Sequence, residues 1–160
     1  MFLVASTAVM AQTGYVRSQA LLYAMPETSA ANKTLSELGA TLQADVKKAE
    51  MNAEAKFKSL QYKASDPELS EAIKQDLASQ YNTLQQELAR VKQNAQSKLQ
   101  EEEAKLMEPI SEKLTAAIKK IAEAKGFKIV VDIQAISYAA DGLDITLDVS
   151  KELGIAPKDE

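Results

Sequence analysis

From Leu35 to Ile121 the apolar residues recur in columns spaced eleven residues apart. Leu77, Leu88, Leu99, Ile110 and Ile121 form one column; Ile73, Leu84, Ala95, Leu106 and Ala117 form a second. Upstream, Leu35, Leu38, Leu42, Val46, Ala49, Ala53, Phe57, Leu60 and Ala64 follow the same 3, 4, 4 spacing. A period of about 3.67 residues per turn slightly exceeds that of an α-helix, so such helices pack nearly straight, with at most a faint right-handed supercoil. Ser65-Asp66-Pro67-Glu68 interrupts the pattern. Asp66 can cap a new helix with Pro67 in its first turn, or Ser65 and Glu68 can form a capping box. The spacing therefore predicts two helices. The first runs from Thr28 or Ser29 to Ala64, about 55 Å at about 1.5 Å per residue. The second runs to Lys125, with Gly126 as its C-cap. Joined by a tight turn, they must be antiparallel. Pro109 lies inside the second, where the lost hydrogen bond and ring clash cost about 3 kcal/mol and predict a kink.

The flanks are written differently. Gly14-Tyr15-Val16 reads as a very short strand, and Ser18 can cap a turn or two of helix ending at Ala24, before Pro26. After Gly126, Phe127, Ile129, Val131 and Ile133 alternate on one face, Val130 adds apolar character to the other, and Ile136 and Tyr138 follow. Asp141-Gly142 is a turn signal; Asp144 or Thr146 then caps a short helix through Leu153, closed by Gly154 and Pro157. Three short strands cannot make a stable closed sheet, and they leave apolar edges open. Association of several chains resolves both problems. The expected fold is mostly α with a small β body: residues 12–27 and 126–160 form an oligomerisation module. Residues 28–125 form a long helical hairpin projecting from it, with its tip near 65–67. Val16, Ile129, Val131, Ile136 and Tyr138 are the candidate oligomerisation residues.

The apolar run from Phe2 to Ala11 matches the core of a signal peptide and is too short to span a bilayer. Val9 and Ala11 supply the small residues a signal peptidase requires, which makes residues 1–11 the expected leader and Gln12 the mature N-terminus. The basic segment that ordinarily precedes such a run is missing; the plainer alternative is a buried strand at Phe2 to Val4.

Little in the chain can carry chemistry. It contains no cysteine and no histidine, which removes disulfides, thiol catalysis, the commonest general base and the commonest transition-metal ligand. No phosphate-binding loop or dinucleotide fingerprint occurs, so no cofactor and no enzymatic activity are expected. With 19 basic and 23 acidic side chains no basic field recruits nucleic acid. Asp141, Asp144 and Asp148 lack the alternation of a calcium loop and suit turns and caps instead. Glu101-Glu102-Glu103 reads as a solvated face. Lys47, Lys48, Lys56, Lys58 and Lys63 gather toward the tip; Asp66, Glu68 and Glu71 dilute their field, so they read first as solvated surface, with transient contact to a membrane surface or an anionic client segment as the alternative. Met51, Tyr62 and Tyr81 lie off the best apolar columns, in the distal half of the hairpin. They either widen the seam or serve as adaptable contacts for extended chains.

The segment GYVRSQALLYAMPE, the paired helices, and MEPISEKLTAAIKKIAEAKGFKIVVDIQAISYAADGLDITLDVSKELGI together resemble the Skp/OmpH family of periplasmic chaperones over essentially the whole chain after residue 11. Gly14-Tyr15-Val16, Met25-Pro26-Glu27, Pro109-Ile110, Gly126-Phe127, Val131-Asp132, Tyr138 and Asp144-Ile145-Thr146 carry the likeness, by their order and spacing. The resemblance implies a homotrimer whose strands build a small barrel-like body and whose hairpins extend as tentacles around a cavity. It also implies a periplasmic holdase that keeps unfolded outer-membrane β-barrel proteins soluble without ATP. Well-known members are strongly basic whereas this chain is acidic, and that departure leaves attraction for lipopolysaccharide or anionic lipid open. A competing reading from another class is a coiled-coil tether or scaffold of the cell envelope that binds one partner helix along the same seam. Pro109 and the strand body fit that reading less well, and an aggregation assay separates the two.

Overall fold

A computed structural model describes residues 13–140 and 142–155. The proposed leader, Asp141 and Pro157 lie outside the described residues. The order of elements is β1 (Thr13–Val16), α1 (Ser18–Ala24), α2 (Pro26–Ala64), α3 (Glu71–Lys125), β2 (Ile129–Asp132), a single 3-10 turn (Ile133–Ala135) and α4 (Thr146–Glu152). The chain forms two compact units. A body takes the two flanks together with the adjoining helix ends, up to Ala31 and from Leu106, and an arm comprises Asn32–Lys105. The boundary expected at the helix ends thus falls several residues inside α2 and twenty residues inside α3. Ala31, Ile110, Leu114, Ala117 and Ala122 all join the body's core.

In the body, β1 and β2 pair in parallel, from Thr13 opposite Ile129 to Val16 opposite Asp132. On its other side β1 meets Asp144: the Tyr15 N–H donates to the Leu143 carbonyl at 2.9 Å and the Ile145 N–H donates to the Tyr15 carbonyl at 3.0 Å. Beneath this small sheet Val16, Leu21, Met25, Ile110, Leu114, Phe127, Ile145 and Val149 form one buried cluster. Each such side chain contributes about 1.5–3 kcal/mol by leaving water. Gly14 is part of this packing. A Cβ built on it would stand 3.1 Å from the Phe127 ring, so the absence of a side chain lets that ring close over β1.

Helix ends explain where the sequence reading holds and where it shifts. The C-terminus of α3 lies at Lys125 as expected. Gly126 has φ +77°, the Phe127 N–H donates to the Ala122 carbonyl at 2.9 Å, and the Gly126 N–H donates to the Glu123 carbonyl at 3.2 Å. Both are the bonds of a Schellman end. The N-terminus of α2 comes earlier than Thr28, at Pro26, which lacks the N–H that a first helical residue leaves unpaired. The start of α3 comes later than Asp66. Asp66 Oδ1 accepts the Glu68 N–H at 2.9 Å and Ser65 Oγ donates to the Tyr62 carbonyl at 2.7 Å, so both residues close the tip turn. Ser70 Oγ, facing the Ile73 N–H at 3.4 Å, then stands at the cap position. The connection is accordingly six residues, Ser65 to Ser70, and α3 continues without interruption past Pro109.

In the arm, α2 and α3 are antiparallel: Glu50 meets Lys92 at 2.7 Å, and nearer the tip the rings of Phe57 and Tyr81 lie 4.5 Å apart. The eleven-residue columns face this seam. Ala53, Leu77 and Leu84 are buried, while Leu42, Val46, Leu60, Leu88, Ala95 and Leu99 are half-buried. Two helices alone cannot cover both flanks of such a stripe. Ile73 departs from its column and is exposed, because it lies in the first turn of α3 at the tip.

Replacing Gly14 with Ala should lower body stability by about 1–3 kcal/mol, the usual cost of overpacking a filled core. A thermal melt of Gly14→Ala that overlays the parent melt would show that the Phe127 ring shifts freely.

Candidate functional site

The surface with most to offer a partner is built around β2. Because β1 lies between β2 and the Asp144 segment, the far side of β2 is an open edge among the described residues. Alternation then sorts the side chains. Val130 packs against the chain's own core, whereas Ile129 is 55% exposed and Val131 only half-buried. An apolar strand edge of this kind is ready to pair with another chain.

Asp132 organises the end of this edge. Its Oδ1 accepts the Gln134 N–H at 2.9 Å, which starts the 3-10 turn, and its Oδ2 accepts the Ser18 N–H at 3.1 Å, which starts α1. The sequence predicts that Ser18 caps α1 with its own hydroxyl; the helix has no such bond, and a strand residue 114 positions away takes that role. The Gln134 Nε2 to Gln19 Oε1 bond, 2.7 Å, closes a second link between the same two segments. Backbone N–H donation from Gln134, followed by the contacts with Ser18, holds the Asp132 carboxyl below its ordinary value.

The other predicted site residues fall into distinct settings. Val16, with 2% exposure, is buried inside its own chain and has no surface left for a partner. The expected continuation of the strand through Ile136 and Tyr138 is not formed. Once Asp132 turns the chain into the 3-10 turn, Ile136 is half-buried and Tyr138 projects at 85% exposure. In the arm, Met51 and Tyr62 are exposed at 63% and 82%. Tyr81 differs from them, since its ring lies against Phe57 and it widens the seam. With Leu60, Ala64, Leu77 and Ala78 these two rings line an open groove of about 520 Å³ near the tip.

The acidic candidates are occupied. Asp144 Oδ1 accepts the Thr146 N–H at 2.8 Å, and Asp148 pairs with Lys125 at 2.6 Å, which draws its carboxyl below the usual range. Among the described residues no group of acidic side chains could hold a metal ion, and no helix is long and apolar enough to cross a membrane.

The chain thus combines a small two-stranded parallel sheet with long helices paired as a hairpin, a mostly α architecture. Residues 12–153 match the family described as outer membrane protein (OmpH-like), and the chain belongs to that family. One solved structure with the same fold is that of a protein from Caulobacter crescentus CB15, assigned as an OmpH-like outer membrane chaperone. The two chains superpose with a TM-score of 0.66 at 16% identity, over 95% of this chain and 89% of that one. No individually curated protein matches.

The lowered Asp132 and Asp148 carboxyls fix the sign of the pH dependence. Each ionises more readily folded than unfolded, so its contribution is present above the unfolded value, near 3.8, and is lost as pH falls through the lower native value. The melting temperature should therefore hold steady down to about pH 5 and decline below about pH 4. Replacing Asp132 with Asn should flatten part of that decline in a melting series from pH 7 to pH 2.5.

Proposed function

We propose that this protein is a periplasmic holdase that works without ATP, binds unfolded outer-membrane β-barrel proteins and keeps them from aggregating in transit. The observation that carries this reading is the arm. Its seam residues are mostly half-covered, and Met51 and Tyr62 add exposed apolar and amphipathic surface to it. A thin two-helix arm presents many weak contacts along its length and no single deep site. Contacts of this kind hold an extended chain only when several arms act together, at the high effective concentration that assembly supplies. The body supports such assembly through the open β2 edge, with Ile129, Val131 and Tyr138 turned away from the chain's own core. We take the working form to be a homotrimer. Membership of the OmpH-like family and the fold shared with a protein assigned as an outer membrane chaperone both favour this function. Release occurs when the client reaches a more apolar environment in the membrane.

The deciding assay is suppression of aggregation. At a stoichiometric ratio of assembled protein, an unfolded outer-membrane β-barrel protein should stay soluble; its precipitation at the rate seen alone would refute the holdase. Met51→Ser together with Tyr62→Ser should change stability by no more than about 0.5 kcal/mol, as exposed substitutions do, while weakening client retention several-fold. Tyr81→Ser should also lower the melting temperature, through loss of the Phe57 contact.

Ile129→Asp should abolish assembly and leave helix content unchanged. Sedimentation giving the parent mass would remove β2 from the subunit contact.

A further inference from the structure

We propose that Asp132 is the positioning residue that sets the open edge of β2 for pairing with a second copy of this chain; the proposal rests on the reading of the body as the place where copies join. Its basis is the register of the β1–β2 pair. A two-stranded parallel sheet of four residue pairs specifies its own alignment weakly, and a slip of one residue turns every side chain of a strand to the opposite face. In β2 that slip would put Ile129 and Val131 into the chain's own core and turn Val130 outward, presenting a different edge to any partner. Ladder hydrogen bonds do not distinguish the two alignments. The Asp132 carboxylate does, because it reaches across the exits of both strands at once.

With Val16 opposite Asp132, β1 leaves through Arg17 into α1 and β2 leaves into the 3-10 turn. Only in this alignment does Oδ2 meet the Ser18 N–H while Oδ1 meets the Gln134 N–H. A helix start and a turn start each leave N–H groups without intrahelical partners, and one carboxylate satisfies both. The Gln134–Gln19 bond lies beside it and closes the same joint. The segment bearing Ile136 and Tyr138 comes next in the chain, anchored by the Ile136 N–H donating to the Ile133 carbonyl at 3.1 Å. Asp132 therefore fixes both the alignment of the exposed strand and the point from which the exposed Tyr138 segment departs. Asparagine keeps the size and one acceptor oxygen, but turns an NH2 group toward one of the two N–H donors.

A role in positioning differs measurably from a role in stability. Thr146→Val removes another body hydrogen bond, from the Arg17 N–H to Thr146 Oγ1 at 3.0 Å, without touching β2. Sedimentation equilibrium with the full chain should show Asp132→Asn raising the dissociation constant of the assembly about tenfold or more, a change of about 1.4 kcal/mol. Thr146→Val, matched for its loss of melting temperature, should change it less than about threefold. Gln134→Ala, which leaves no buried group unpaired, should weaken assembly about threefold with an unchanged melt, and it carries the test if Asp132→Asn fails to fold. Equal effects of Asp132→Asn and Thr146→Val would overturn the proposal, as would an unaltered dissociation constant for Gln134→Ala should Asp132→Asn not fold. A parent protein that sediments as a monomer would instead remove the joint itself, a separate result because it needs no variant.

Discussion

Everything in the body depends on the pairing of β1 with β2, strands from opposite ends of the sequence. Parallel strands need a long crossover, and here the crossover is the whole hairpin. Closing so long a loop has an entropic cost that grows only slowly with length, so the arm can be long without making the pair much harder to form. The opposing return comes from what closure brings together: Val16 from one flank, Phe127, Ile145 and Val149 from the other, and Ile110 and Leu114 from α3, in one cluster. Salt bridges decorate this packing. Lys120 and Lys125 reach Glu152 and Asp148 on α4 at 2.6 Å, yet these side chains remain partly exposed, where such pairs contribute about 0–1 kcal/mol.

How much of this could be read from the sequence depended on the range of the interaction that decides each feature. The eleven-residue columns are a local property of helices, and they identified the seam residues Val46, Leu77, Leu84 and Leu99 directly. Gly126 and its Schellman bonds were legible for the same reason. The start of α3 was not, because Ser65, Asp66 and Ser70 are all capable caps and only the geometry of the tip decides among them. The alternation Phe127, Ile129, Val131 suggested one buried face. In the fold Phe127 precedes the strand and its ring closes over Gly14, while the lone Val130 packs inward. The N-terminus of α1 was beyond local reading, since its acceptor belongs to Asp132 at the far end of the chain. That Val131-Asp132 contributed to the family resemblance was a signal of its importance, although the spacing alone gave no reason for it.

The two units are packed unequally. Ile145 and Val149 are completely buried in the body, whereas the best-covered apolar residues of the arm, Ala53, Leu77 and Leu84, each keep some exposure. Regions with few buried contacts open at lower free energy than a dense core does. Larger residues at the alanine positions of the seam would stabilise the pair of helices, but they would also cover apolar surface that the arm now leaves exposed. On the holdase reading proposed above, stability and binding compete for the same side chains in the arm, a trade common to functional surfaces. In the body, β2 carries a comparable exposure, with Ile129 on an open strand edge. An exposed apolar strand edge is a template for pairing with other chains. The carboxylate of Asp132 accepts N–H groups at the starts of α1 and of the 3-10 turn, and on the proposal above it fixes the alignment in which that edge is presented.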